Sequence, residues 1–120
     1  MSKEKSIFTR IMDGEIPSEM LYADDRCVVI KDINPQAPTH VLVIPRKNIP
    51  RLVEAVADDE SLLGHLLLVA GEMAGQLGVD DAFRLVINNG ADAGQTVFHL
   101  HMHILANKSF AEGSMGNEFG

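Results

Sequence analysis

The sequence predicts an α+β domain: a five-stranded, mainly antiparallel sheet with one long helix and one short N-terminal helix. Three observations carry that prediction. Five short apolar runs are bounded by Pro, Gly, Asn or Asp, the usual punctuation of strands. One segment alone, from Asp58 or Asp59 to Gly78, repeats its apolar residues at helical spacing over several turns. The chain is therefore mostly strands with one helix against a face, which favours a meander over parallel βαβ units. Its 120 residues suit a single domain with a real core.

Ser6 to Met12 starts a short helix with Ile7, Phe8 and Ile11 on one side, ended by Gly14 and Pro17. Glu19–Ala23 and Arg26–Lys31 read as two strands of a hairpin around Asp24-Asp25. Asp32 to Pro38 is a loop by its two prolines. Thr39–Ile44 is apolar on both faces but for His40, the mark of a central strand, and Pro45 closes it. Arg51–Ala57 is a short helical turn. Asp58 or Asp59 then caps the long helix, whose stripe is Leu62, Leu63, Leu66, Val69, Ala70, Met73 and Leu77. Phe83–Asn88 is the fourth strand, Asn89–Gly94 a polar loop, and Val97–Leu105 the fifth strand. Residues 1–106 form the domain, and 107–120 an irregular Gly-rich tail. A sheet this small is expected to dimerise to cover an edge or a face.

The net charge of −7 argues against a nucleic acid or an anionic membrane as partner, since both are bound through Lys and Arg. It leaves room for a small phosphorylated ligand held by N–H groups and imidazoles. No apolar run has the length of a membrane span, and Met1 to Lys5 is polar, unlike a signal peptide. Cys27 is the single cysteine and lies in a core-like run, which fits a reducing cytoplasm.

His99-Leu100-His101-Met102-His103 holds three of the five histidines at alternate positions with apolar spacers. In a strand this puts three imidazoles on one face, with Phe98, Leu100, Met102 and Ile104 on the other. Metal binding is one use: His-x-His is a ligand pair, with His40, Asp32 and Asp92 as further ligands. The outer two histidines, roughly 13 Å apart along a strand, are hard to bring onto one ion. Hydrogen-bonded structural histidines are a second reading. Nucleophilic catalysis is a third, since a neutral imidazole attacks well near pH 7 once its second nitrogen is held by an acceptor. The Gly-containing loop 89–94 offers N–H groups for developing charge.

Gly94-Gln95-Thr96-Val97-Phe98-His99-Leu100-His101-Met102-His103-Ile104-Leu105 resembles the signature of histidine triad (HIT) proteins. Asp32 to Pro45, with Ile7-Phe8-Thr9-Arg10-Ile11 and Gly14-Glu15-Ile16-Pro17, resembles the matching segments of the Hint branch. The likeness runs from about Ile7 to Leu105. It implies two copies joining their sheets, a purine nucleoside monophosphate pocket, and hydrolysis of phosphoramidates or acyl-adenylates without metal or other cofactor. The resemblance implies that His101 is the nucleophile and that His103 serves the phosphate and leaving group. His99 and His40 are implied to orient them. Asn88, Gly94, Gln95 and Thr96 are implied on the phosphate or leaving-group side, and Asp32 on the ribose. Ile7, Phe8, Ile11, Ile33 and Leu42 are implied in the base pocket. A nucleotide-binding regulator with little or no turnover is the alternative. Three features depart from the pattern: Ala93 in place of a glycine, Ala106-Asn107 where two glycines are common, and the tail. His65 reads as structural, and Arg46-Lys47 as a solvated strand end.

Overall fold

The computed structural model describes residues 4–114. Helix α1 (Ile7–Met12) precedes the hairpin β1 (Met20–Ala23) and β2 (Cys27–Lys31). β3 (Thr39–Pro45) follows, then two 3₁₀ turns at Leu52–Glu54 and Ala57–Asp59. The long helix α2 (Glu60–Gln76), β4 (Phe83–Val86), a 3₁₀ turn at Ala91–Ala93 and β5 (Met102–Ala106) complete the order. The sheet runs β1-β2-β3-β5-β4 and every pairing is antiparallel. β3 is its middle strand, as its two apolar faces require.

Alternation along the strands sorts the core into two layers. Val29, Val41, Val43, Met102 and Ile104 pack with Leu66, Val69, Ala70 and Met73 of α2. Burying each of the larger side chains stabilises the layer by about 1.5–3 kcal/mol. Val28, Ile30, Leu42 and Ile44 point the other way and pack under Phe8 of α1. His40, Leu42, His103 and Leu105 share this second face, so the site lies on the side away from α2.

Several boundaries differ from the sequence reading. Asp59 precedes α2, but its carboxylate caps backward: it accepts from Val56 N–H at 2.9 Å and from Lys47 at 2.6 Å. Lys47 and Arg46 are thus braces, Arg46 Nε donating to Asp24 O at 2.7 Å. α2 stops before Gly78, whose φ of +74° suits glycine. The tail is anchored as far as it is described: Arg84 donates to the carbonyls of Ser114 and Ala111 and stacks on Phe110. The last six positions of that tail lie outside the described residues.

Candidate active site

Two of the site histidines are held by strand register. Leu42 sits opposite His103, and His40 opposite Leu105, which makes His40 and His103 diagonal neighbours on one face. Their Nε2 and Nδ1 are 2.8 Å apart. Proton positions follow from a backbone donor. Gln36 N–H donates to His40 Nδ1 at 2.9 Å, so neutral His40 carries its proton on Nε2. That proton faces His103 Nδ1, with Asp32 Oδ2 at 3.3 Å beside it. His103 Nδ1 accepts, so its own proton sits on Nε2. Burial lowers the pKa of His40; the Asp32 carboxylate opposes this and His101 adds to it.

The other two histidines depart from the expected single strand. β5 begins at Met102; the chain bends at residues 97–99 before it. Leu100 N–H donates to Ile49 O at 2.7 Å, outside any ladder. Phe98 is accordingly 45% exposed instead of joining the core, whereas Leu100 is buried. His99 and His101 are therefore placed by individual hydrogen bonds. His99 Nε2 donates to Pro45 O at 2.7 Å, and Ser6 Oγ lies 2.6 Å from its Nδ1. Burial lowers the pKa of His99, with the Pro45 carbonyl opposing. His101 Nδ1 donates to the His99 carbonyl at 2.8 Å. A carbonyl only accepts, so the lone pair of neutral His101 sits on Nε2. The rings of His101 and His103 have centroids 5.0 Å apart, and Phe8 meets His101 edge-on at 4.9 Å.

The loop before these histidines is fastened by Gln95, which is 3% exposed. Its Oε1 accepts from Gly90 N–H at 2.7 Å, and its Nε2 donates to the carbonyls of Pro50 and Val97. Gly94 has φ +99°, so the glycine that the turn requires is the one retained; Ala93 lies in the 3₁₀ turn. At the second departure Asn107 takes φ +64° and donates to Thr39 Oγ1 at 2.7 Å. Asn is among the residues that tolerate this conformation.

A pocket of about 380 Å³ opens on this face. Of the sequence-implied residues, His40, His101, His103, Asp32, Ile33, Leu42, Thr96, Ile7, Phe8 and Ile11 line it. Ile33 is almost fully exposed at the rim. His99, Gln95, Gly94 and Asn88 are not in the lining. His99 and Gln95 instead hold the groups that are. The sequence reading missed Ser6, Gln36 and the Pro45 carbonyl. Two act through backbone groups, which carry no residue signature, and Ser6 lies 93 positions from the histidine it meets. Pro17 and Val97 also line the pocket without having been expected there.

Among the described residues, two trios bring ligand atoms within 4.8 Å of one another: Asp32, His40, His103 and Asp24, Cys27, His65. In the first, the facing nitrogens are 2.8 Å apart. Two ligands on a tetrahedral zinc at ordinary bond lengths stand roughly 3.3 Å apart. In the second, Arg26 donates to His65 Nδ1, so the proton sits on Nε2 and is given to Asp24 at 2.7 Å. Both are proton-sharing clusters. The second ties α2 to the β1–β2 turn, the structural role read for His65.

A family model of the HIT domain matches residues 13–110. The chain belongs to the HIT family. An uncharacterised HIT-like protein of Synechocystis sp. is 57% identical over 108 residues, covering 90% of this chain and 95% of its own. A HIT family hydrolase from Legionella pneumophila superposes with TM-score 0.87 at 35% identity, covering 91% of this chain and 98% of its own. A histidine triad nucleotide-binding protein from Candida albicans superposes with TM-score 0.76 at 32% identity, covering 83% of this chain and 73% of its own. The five-stranded antiparallel sheet with one long helix is thus the HIT fold.

Proposed function

We propose that this HIT protein hydrolyses purine nucleoside 5′-phosphoramidates, or acyl-nucleotidylates, through a nucleotidyl-histidine intermediate, as a Hint-type enzyme. One observation carries the reading: His101, on the pocket wall, has Nδ1 bonded to the His99 carbonyl and its lone pair on Nε2. The Legionella hydrolase and the Candida nucleotide-binding protein support the reaction and ligand classes.

His101 Nε2 attacks the α-phosphorus and the P–N bond breaks. The departing amine takes the proton that His103 holds on Nε2. Water then attacks the nucleotidyl phosphorus, returns a proton to His103 and releases the nucleoside monophosphate and His101. Splitting one displacement into two lowers each barrier. The purine lies against Ile7, Phe8, Ile11, Ile33 and Leu42, and Asp32 takes the ribose hydroxyls. Asn88, Gly94, Gln95 and Thr96 serve the phosphate side, Gln95 through the loop it fastens. Two copies pair across the edge strand β4 and the exposed Leu67 and Leu68 of α2, which are 55% and 71% exposed.

Incubation with an AMP–amine conjugate tests this. AMP release that resists EDTA and disappears in His101→Ala is the expected result. Activity surviving His101→Ala removes the nucleophile assignment, and activity abolished by EDTA restores a metal. Tight AMP binding with no turnover of any phosphoramidate leaves a binding module.

A further inference from the structure

Ser6 precedes α1 and is its N-cap. Its Oγ accepts from Thr9 N–H at 3.0 Å, in the ordinary manner of a capping serine. The same oxygen lies 2.6 Å from His99 Nδ1, which is short even for a bond from a hydroxyl. His99 Nε2 faces the Pro45 carbonyl at 2.7 Å, and a carbonyl can only accept. Neutral His99 therefore holds its proton on Nε2, and its Nδ1 accepts the Ser6 hydroxyl proton. One serine oxygen thus closes both the first turn of α1 and the orientation of the first triad histidine.

The consequence runs to both ends of the site. α1 brings Ile7, Phe8 and Ile11 to the pocket wall. Phe8 touches the rings of His99 and His101 edge-on, at 5.8 Å and 4.9 Å between centroids. His99 in turn supplies the carbonyl that fixes His101 Nδ1. That carbonyl lies ahead of β5, which starts at Met102; its peptide is held by Leu100 N–H donating to Ile49 O at 2.7 Å, and its residue by the two bonds of the His99 ring.

We infer that Ser6 is a positioning residue that locks the His99 tautomer and, through the His99 carbonyl, aims His101 at its substrate while docking α1 on the triad. This rests on the nucleophilic reading of His101, but the hydrogen bond itself does not. Ser6 touches neither substrate nor reacting atoms; it acts through His99.

Three substitutions separate capping from positioning. Ser6→Thr keeps a hydroxyl and a good cap. Ser6→Ala loses both. Ser6→Asp keeps a good cap but offers only acceptor oxygens, so it favours a proton on His99 Nδ1 as well as Nε2. Nitrogen-15 NMR of the ligand-free protein reads the ring directly. His99 Nδ1 is expected to resonate as an unprotonated nitrogen in the native protein and in Ser6→Thr. In Ser6→Asp it is expected to become a protonated one at a pH where the native ring is neutral. Phosphoramidate hydrolysis should fall roughly three- to tenfold in kcat for Ser6→Ala, the factor of one ordinary hydrogen bond. Ser6→Thr should recover that loss. Ser6→Asp should lose activity although its helix is capped, with a pH profile moved to higher pH.

An Nδ1 signal unchanged in both Ser6→Asp and Ser6→Ala overturns the inference. So does a Ser6→Asp enzyme with native kcat, which would leave Ser6 a helix cap and nothing more. A native protein that hydrolyses no phosphoramidate while its Nδ1 signal responds as described refutes the proposed reaction and leaves the Ser6–His99 lock standing.

Discussion

The site is built in two halves by two different methods. His40 and His103 sit on paired strands, and the register that sets Leu42 opposite His103 also sets the distance between the two rings. His99 and His101 sit on chain that has left the sheet, held by Pro45 O, Ser6 Oγ and the His99 carbonyl. A ladder places a side chain through many shared bonds, so a single change elsewhere moves it little. A bent segment places a side chain through one or two bonds, each of which can be removed. The contrast shows where this site is adjustable: the half built on His40 and His103 is held by the sheet, and the half built on His99 and His101 is set by a few individual contacts.

The largest effect should come from the half that holds His101. His101→Ala should lower phosphoramidate turnover by at least about 10³-fold, as for other lost nucleophiles. AMP binding by calorimetry should be kept within a few-fold. Equal losses of binding and turnover would mean that His101 serves as a ligand contact.

His40→Ala probes the rigid half. It removes the donor to buried His103 Nδ1 and should cost about 1–3 kcal/mol of stability in urea unfolding. Turnover should fall ~10²-fold because the His103 proton is no longer fixed on Nε2. A stability loss without a rate loss would detach the His40–His103 pair from the chemistry.

Gln95→Leu sharpens the contrast most directly. It deletes three bonds that fasten the loop, to Gly90, Pro50 and Val97. Amide exchange should accelerate over residues 89–101 and stay slow in β3 and β5, with a stability loss of about 1–3 kcal/mol. Equal acceleration in the strands would show that the two halves are one cooperative unit.

Acid should weaken the fold through both halves. The folded-state pKa values of His40 and His99 are lowered, chiefly by burial. The unfolded chain therefore binds protons first as pH falls, and stability falls with it through the window from about 6.5 downward. Urea midpoints measured between neutral pH and the onset of carboxylate titration should decline. His99→Asn should flatten the decline, and an unchanged slope would reassign it to other groups.

The smallest effect belongs to the tail. Arg84→Ala removes the clamp on Ala111, Ser114 and Phe110. The clamp is exposed, so stability should change by under ~1 kcal/mol while proteolysis near Phe110 quickens. A large loss of stability would make the tail part of the core.

The same division explains what the sequence made legible. Strand alternation and the helical stripe placed the sheet, α2 and the central β3, because burial writes itself into periodicity. It also gave His103 a strand position, whereas the meeting of His103 with His40 is set by the β3–β5 register. The fifth strand failed at its start because His-x-His-x-His continues the period-2 pattern through a segment that is not a strand. Alternation there reflects buried histidines set one by one, and exposed Phe98 is the residue that breaks the inference. Asp58 or Asp59 reads as a forward cap because sequence shows the residue type and not which way a carboxylate turns; that of Asp59 turns back to Val56 N–H. Ser6 was visible as a helix start, while its meeting with His99 is a tertiary fact.

Rapid-quench mass spectrometry with an adenosine 5′-phosphoramidate puts His101 as the nucleophile to its sharpest test. An adenylyl-sized mass increase that maps to His101, appears within the first turnover and decays as AMP is released is the expected result. Turnover with no adduct, or an adduct on His99 or His103 in its place, would contradict it.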